Sequence, residues 1–411
     1  MESVHHPTTV RSGSSGIDDP TAATGLDLIA FRRDLHAHPE LSSREVRTTA
    51  KVLEQLTRAG IRTRALPVTG LVADLGAEDP AYRVALRADL DALPVQEVTG
   101  LPWASTVPGV AHACGHDVHT TVALGAGLLL KQQEETLREL GVGVRLIFQP
   151  AEEVIPGGAH LVMDAGGLDG VDRILTVHCD PTIDVGEVGL KVGAITAASD
   201  SVEVTLTGRG GHTSRPHLTA DLTYALGKVL TDVPAALGRR IDPRAGTALV
   251  WGSVHAGGAQ NVIPSTGSVS GTLRMLDSEV WKTVGALLEQ TVHAVVSPYG
   301  VTAQVTHTPG VPPVVNDVAA VEALRAGVLS GGAVETSTRQ SLGGEDFAWY
   351  VTRVPGALAR LGTRAPGGRT YDLHMGDVVV EEGAIPVGVR VLTEAALWSA
   401  REANAGRVKP R

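Results

Sequence analysis

His112-Ala113-Cys114-Gly115-His116-Asp117-Val118-His119 gathers four potential metal ligands or ligand-orienting groups into eight residues. A thiolate and an imidazole two residues apart can face one cation. Gly115, between them, lacks the Cβ that would restrict the backbone of such a clasp. The apolar run Thr120 to Leu130 follows directly and reads as a helix, so the polar cluster is expected in the turn ahead of it. Outward from this stretch the same arrangement recurs. Arg83 to Arg87 reads as a strand and leads into Ala88-Asp89-Leu90-Asp91-Ala92-Leu93-Pro94. Val142 to Phe148 is a largely apolar strand ending at Gln149-Pro150-Ala151-Glu152-Glu153, and Arg173 to Val177 ends at His178-Cys179-Asp180-Pro181. Helix, buried strand, then polar residues at the strand's carboxyl end is how a mostly parallel sheet flanked by helices presents a site. The expected fold class is α/β.

The flanking segments fill in this plan. A helix is expected from about Leu26, with Asp27 in its first turn, closing at Pro39. His36 and His38 near its end read as surface or packing histidines. A second amphipathic helix, about Ser43 to Ala59, stops at Gly60, and Gly70 to Leu75 reads as a strand. After Gly186 the pattern changes. Ser201 to Thr207 alternates, a Gly-rich turn ends at His212, and a helix follows over about Thr219 to Leu237. Strands near Thr247 to Val254 and Gly267 to Met275, a helix over Ser278 to Val296 and a strand near Thr302 to Thr308 complete the series. That order predicts an inserted α+β unit with a four-stranded antiparallel sheet and two helices. Beyond it come a helix near Asn316 to Leu329, the acidic turn Leu342-Gly343-Gly344-Glu345-Asp346-Phe347, a strand over Ala357 to Gly362, Tyr371-Asp372-Leu373-His374 and a last helix near Gly383 to Ala403. The expected organisation is a disordered tail over 1–25, a discontinuous first domain over 26–195 and 310–404, and a second domain inserted over 196–309.

Composition excludes several function classes. With 43% hydrophobic and 19% charged residues the chain reads as an ordinary globular protein. A net charge of -10 and 3% aromatic residues argue against a nucleic-acid partner. The longest apolar stretch, Val122 to Leu130, is too short to span a bilayer, so no membrane association is expected. Met1 to Gly25 is rich in Ser, Thr, Gly and Pro without an apolar h-region, which does not read as a secretory signal. Two cysteines, Cys114 and Cys179, make no disulfide framework in 411 residues, and a reducing, cytoplasmic setting is expected.

Five candidate ligands stand at loop or strand-end positions: Cys114, His116, Glu153, His178 and His374. One cation takes about four ligands, while a pair sharing a bridging group can be held by five plus water. Glu152, beside a ligand, is then placed to act as general base, carrying a proton from water to a leaving amine.

With these motifs in order, the chain resembles the M20 metallopeptidase family, in particular its branch of N-acyl-amino-acid, hippurate and auxin-conjugate amidohydrolases. The likeness is carried by Arg32-Arg33…His36…Pro39-Glu40, Arg87 to Pro94, His112 to Asp117, Gln149 to Glu153, Gly210-Gly211-His212…Arg215-Pro216-His217, Asn261-Val262-Ile263-Pro264 and Gly344-Glu345-Asp346-Phe347. The resemblance implies a metal-binding catalytic domain with an inserted lid that often forms a homodimer. It implies two divalent ions, zinc first and manganese or cobalt as alternatives, on Cys114, His116, Glu153, His178 and His374, with Cys114 as bridge. It places Glu152 on the general base and His212 on a lid residue that polarises the scissile carbonyl, in some members across a subunit boundary. Asn261 and Arg274 fall on substrate-holding lid positions, and Asp89 on an aspartate behind the ligands. Two segments depart from the family pattern: His374-Met375-Gly376 stands for His-x-Pro, and Thr176-Val177-His178 for Gly-Leu-His.

The implied activity is metal-dependent hydrolysis of a small N-acyl amino acid or related amide. A dipeptidase or carboxypeptidase with the same two-metal site is the alternative. A catalytically silent binding protein is disfavoured by the intact Glu152/Glu153 pair. The chain carries no Gly-x-Gly-x-x-Gly fingerprint of a zinc alcohol dehydrogenase, no P-loop and no Gly-x-Ser-x-Gly elbow.

Overall fold

Tyr82–Asp89, Val142–Gln149 and Arg173–Asp184 lie side by side and parallel at the centre of an eight-stranded sheet in the computed structural model, which describes residues 20–407. Gly356–Arg364 continues the parallel set beside Arg173–Asp184. Leu71–Gly76 and Arg62–Ala65 extend one side antiparallel, and Glu187–Leu190 with Val334–Ser337 complete the other. Every residue of Val142–Gln149 is buried, which accounts for its near-continuous apolar sequence. The sheet is mixed but mostly parallel, as expected. Its three short outer strands, Arg62–Ala65, Glu187–Leu190 and Val334–Ser337, are elements the sequence did not announce. Two of them are largely exposed, so no apolar periodicity marked them.

Helices His116–Gln132, Val318–Ser330 and Ala384–Arg407 pack on this sheet and on one another. Glycines permit the close approach: a Cβ on Gly125 would come within 2.7 Å of Val389 Cγ2, and one on Gly127 within 2.3 Å of a Leu146 methyl. One correction concerns the opening motif. The helix starts at His116, four residues before the apolar run, with Gly115 in the left-handed region at φ 88° just ahead of it. His116, Asp117 and His119 therefore belong to its first turns and are buried: Asp117 and His119 are hydrogen-bonded inside the protein, while His116 faces Asp91.

A second sheet, ordered Ala248–Ala256, Thr266–Met275, Ala198–Thr207, Thr302–Val311, is antiparallel throughout. Ala198–Thr207 alternates buried and less buried positions, with Val202, Val204 and Leu206 turned toward helices Leu222–Arg240 and Ser278–Val296. These elements close a hydrophobic cluster of their own, separate from the clusters on either face of the large sheet. Asp277 caps the Ser278 helix by accepting from the backbone N–H groups of Glu279 and Val280. Within the expected N-terminal tail, Pro20–Thr24 form a 3-10 turn, while residues 1–19 lie outside the described part. Among the described residues no helix is long and apolar enough to cross a membrane.

Candidate active site

The strand ends of the large sheet and the first turn of the His116 helix meet at one cleft of about 460 Å³. Its walls include Cys114, Glu152, Glu153, His178, Arg274 and His374. Cys114, His116 and His178 offer ligand atoms mutually within 4.8 Å, as do Cys114, Glu153 and His374. The fold thus brings together all five residues expected to hold metal, although they are spread along the chain from Cys114 to His374.

The imidazoles are oriented by their other nitrogens. His178 Nδ1 lies 2.8 Å from the Cys179 carbonyl and donates to it, which leaves Nε2 as a lone pair 3.6 Å from Cys114 Sγ. His116 Nδ1 is 3.3 Å from Asp91 Oδ1, and its Nε2 faces Glu153 Oε1 at 3.7 Å and Glu152 Oε2 at 3.9 Å. His119 is different. The Cys179 backbone N–H donates to its Nε2 at 2.8 Å and its Nδ1 lies 2.7 Å from Asp89 Oδ1, so both nitrogens are used and it cannot ligate without breaking one bond. His116 Nδ1 and Nε2 and Glu153 Oε1 are buried with no hydrogen-bond partner, an arrangement that is costly unless something electropositive lies between them. Thiolate, imidazole and carboxylate donors in this setting fit a pair of divalent cations.

The atypical His374 segment has a local explanation. Gly376, where the family carries proline, lies against the Gln96 backbone, and a Cβ there would come within 2.0 Å of the Gln96 carbonyl oxygen. The Gly376 carbonyl accepts from Val98 N–H at 2.8 Å, and His374 N–H donates to Ala113 O at 2.9 Å. His374 is thereby delivered to Glu153, with 3.4 Å between Nε2 and Oε1. Its backbone is left-handed at φ 67°, and Ala151, just before the glutamate pair, is left-handed at φ 56°. Ala151 is held there by its N–H donating to the buried Glu45 carboxylate at 2.8 Å. At the other departure, the Thr176 hydroxyl donates to the Arg87 carbonyl at 2.9 Å, tying adjacent strands below His178.

Behind the ligands lies a layer of buried charge. Asp89 pairs with Arg87 at 2.6 Å and with His119 at 2.7 Å. Burial alone would raise its carboxyl, but His116, Arg87 and His119 hold it well below the ordinary carboxylate range. Arg87 also meets Glu345 at 3.1 Å and Asp346 at 2.8 Å, and Gln149 donates to Asp346. This network backs Glu152: burial, then Glu345, Glu153 and Asp346, push the Glu152 carboxyl well above its usual value. Asp91 carried no assigned role in the sequence. It accepts from Ser42 at 2.6 Å and from Glu153 N–H at 2.9 Å while facing His116, which positions two candidate ligands at once. Of the two readings of His36, surface or packing, the structure takes the second. Far from lying at the surface, it is 4% exposed, with Nδ1 2.8 Å from Asp117 and Nε2 3.3 Å from Glu97. Asp117 in turn pairs with Arg32 at 2.7 Å, which anchors the first helix beneath the metal clasp.

The remaining expected residues divide. Arg274 lines the cleft and its guanidinium donates to the Leu342 carbonyl. His212 and Asn261 do not line it. They sit together on an exposed two-stranded turn, Gly211–His212 against Val262–Ile263, with Thr213 N–H donating to Asn261 O.

Comparison with known proteins adds lineage to this geometry. The model of Peptidase family M20/M25/M40 matches residues 85–398. An N-acetyl-L-cysteine deacetylase of Bacillus subtilis is 37% identical over 90% of this chain and 87% of its own length. A Rhodococcus jostii protein named as a glutamate–cysteine ligase is 46% identical over 90% of this chain, but the chain spans only 47% of that longer relative. Among solved structures, the YXEP protein of Bacillus subtilis, described as a dinuclear metal binding peptidase from the M20 family, superposes with a TM-score of 0.81. Its identity is 34%, over 92% of this chain and 99% of that one.

Proposed function

Because the chain belongs to Peptidase family M20/M25/M40, we propose that it is a metal-dependent amidohydrolase cleaving the amide bond of small N-acyl amino acids or related conjugates. The observation that carries this reading is the meeting of five ligand donors around one cleft with a separate, half-buried carboxylate, Glu152, in its wall. The deacetylase relative supports the acylated substrate class. A carboxypeptidase of Saccharolobus solfataricus, 34% identical over 88% of the chain, keeps peptide cleavage as the second reading.

Cys114, His116, Glu153, His178 and His374 would hold the ions, with Cys114 as the shared donor because it belongs to both ligand groups. Bound there, a divalent pair would polarise the amide carbonyl and acidify a water. Thiolate and imidazole donors favour zinc, and the carboxylates leave manganese or cobalt workable. Glu152 takes the proton from water and returns it to the departing amine. Its raised carboxyl suits both halves of that transfer. Arg274 supplies a cation for the substrate's α-carboxylate. Two free, buried cysteines suit a reducing, cytoplasmic setting.

The test is hydrolysis of matched N-acyl amino acids and free dipeptides by metal-reconstituted protein, with and without chelator. Chelator-sensitive cleavage confined to acylated substrates is the expected result. Preference for dipeptides moves the assignment to peptidase, and cleavage that survives chelation overturns it.

We assign His212 to the carbonyl of a substrate in a neighbouring subunit's cleft, within a homodimer formed through the unit spanning 196–309. Its exposure, outside the wall of its own cleft, supports this. His212→Ala is expected to lower kcat by about 10²-fold or more with metal content intact. Mixing and reassociating His212→Ala with Glu152→Ala should recover roughly a quarter of wild-type activity, because half the dimers then own one complete site. No recovery places His212 in its own subunit's chemistry, and a change confined to KM makes it a ground-state contact.

A further inference from the structure

Five arginines are buried among the described residues: Arg32, Arg87, Arg145, Arg173 and Arg360. Four have a carboxylate partner within the protein, namely Asp117, Asp89, Asp74 and Glu402 respectively, at 2.6 to 2.9 Å. The side chain of Arg360, 7% exposed, makes no ion pair or hydrogen bond with any described residue. A guanidinium largely withdrawn from water without a protein partner is costly, so one that opens only onto a cleft is a site prepared for an anion.

Its direction follows from sheet register. Arg360 stands opposite His178 on the neighbouring parallel strand, so the two side chains leave the same face of the sheet, toward the ligands. On its other side the paired residue is Gly189, whose lack of a side chain leaves room beside the Arg360 stem: a Cβ there would approach Arg360 Cβ to 3.2 Å. Arg360, Ser341 and Leu373 line both the catalytic cleft and an adjoining one of about 550 Å³, so the guanidinium stands at the join. The acidic groups nearby are already engaged. Asp180 accepts from the Thr182 N–H at 2.9 Å and hydroxyl at 2.6 Å, and Glu345 faces Arg87. Arg274 lines the same catalytic cleft, so one pocket presents two separate cations, one on each sheet.

We propose that Arg360 is a specificity-determining residue that binds a second carboxylate of the amide substrate, in addition to the α-carboxylate assigned to Arg274. This inference rests on the amidohydrolase reading, and it makes the preferred substrates dianionic. The second carboxylate comes either from the side chain of the amino acid or from the far end of a dicarboxylic acyl group.

The experiment compares kcat/KM for two matched pairs on the metal-loaded enzyme: N-acetyl-glutamate with N-acetyl-glutamine, and N-succinyl-leucine with N-butanoyl-leucine. Wild type is expected to favour the charged member of one pair by about 100-fold, the scale of a charged hydrogen-bonded pair in a water-poor site. The pair that shows the preference identifies the side of the scissile bond on which the carboxylate lies. In Arg360→Gln that ratio should fall to near one, and Arg360→Lys should restore part of it. Calorimetry with glutarate and butyrate gives a readout independent of turnover: Arg360→Gln should selectively weaken the dianion. If nothing in the panel is hydrolysed yet glutarate binding depends on Arg360, the amidohydrolase reading falls and the carboxylate site stands. If hydrolysis proceeds but the ratios match in wild type and Arg360→Gln, the carboxylate site is wrong and the hydrolase stands. A drop in bound metal in Arg360→Gln also overturns the proposal, since Arg360 would then serve the Cys114 thiolate.

Discussion

Glu152→Ala is expected to retain its full complement of metal while losing turnover by about 10²- to 10⁴-fold, the contribution of a well-placed general base. Several contacts make the loss specific to chemistry. Glu153, the neighbouring candidate ligand, is fixed independently by its backbone N–H on Asp91 at 2.9 Å, so truncating Glu152 leaves it in place. Glu152 itself is lightly tethered, with the Asp346 N–H 3.4 Å from Oε1, as suits a carboxylate that must exchange a proton. Removing one of the crowded carboxylates Glu152, Glu345 and Asp346 also relieves repulsion, so the variant should be no less stable than wild type. Metal analysis, thermal unfolding and single-turnover kinetics on one preparation separate these effects. Undiminished turnover would remove Glu152 from the mechanism, and lost metal would make it a ligand.

Cys114→Ala should act in the opposite way, emptying the metal site before any question of chemistry arises. The thiol belongs to both ligand groups and lies 3.6 Å from His178 Nε2 in a pocket where it is 6% exposed. In the metal-free protein, burial holds the thiol well above its ordinary value, and neighbouring Glu153 and Glu152 push it further. Only a cation can hold it as thiolate. Its removal should weaken metal binding by more than the roughly 10- to 100-fold typical of an outer hydrogen-bond partner. Competition with a chromophoric chelator measures this directly, and an unchanged stoichiometry would reduce Cys114 to a packing residue.

Most of the candidate site residues were legible in sequence because Cys114 and His116 stand at the start of a buried helix and Glu152, Glu153 and His178 on or just beyond buried strands, and those patterns are local. What depends on distant partners was not. His36 looked like a helix-end histidine because its two carboxylates, Asp117 and Glu97, are 81 and 61 residues away. The helix start at His116 was obscured because His116, Asp117 and His119 are polar, and only the folded core shows that all three are buried. Ala357 to Gly362 was recognisable as a strand. That Arg360 within it looks into the cleft follows from pairing with His178, which no local pattern encodes. His212 and Asn261 were readable as motif residues, yet their place outside this chain's cleft emerges only from the packing of their turn.

The left-handed backbone at His374 sets heat resistance against turnover. A histidine at φ 67° costs about 1–2 kcal/mol relative to a residue without a Cβ, and glycine would recover much of that. Glycine also abolishes the imidazole that meets Glu153. A library sorted for survival at high temperature will therefore drift toward glycine at position 374, while one sorted for catalysis will hold histidine there. Engineering this scaffold for durability thus calls for keeping position 374 out of the mutated set.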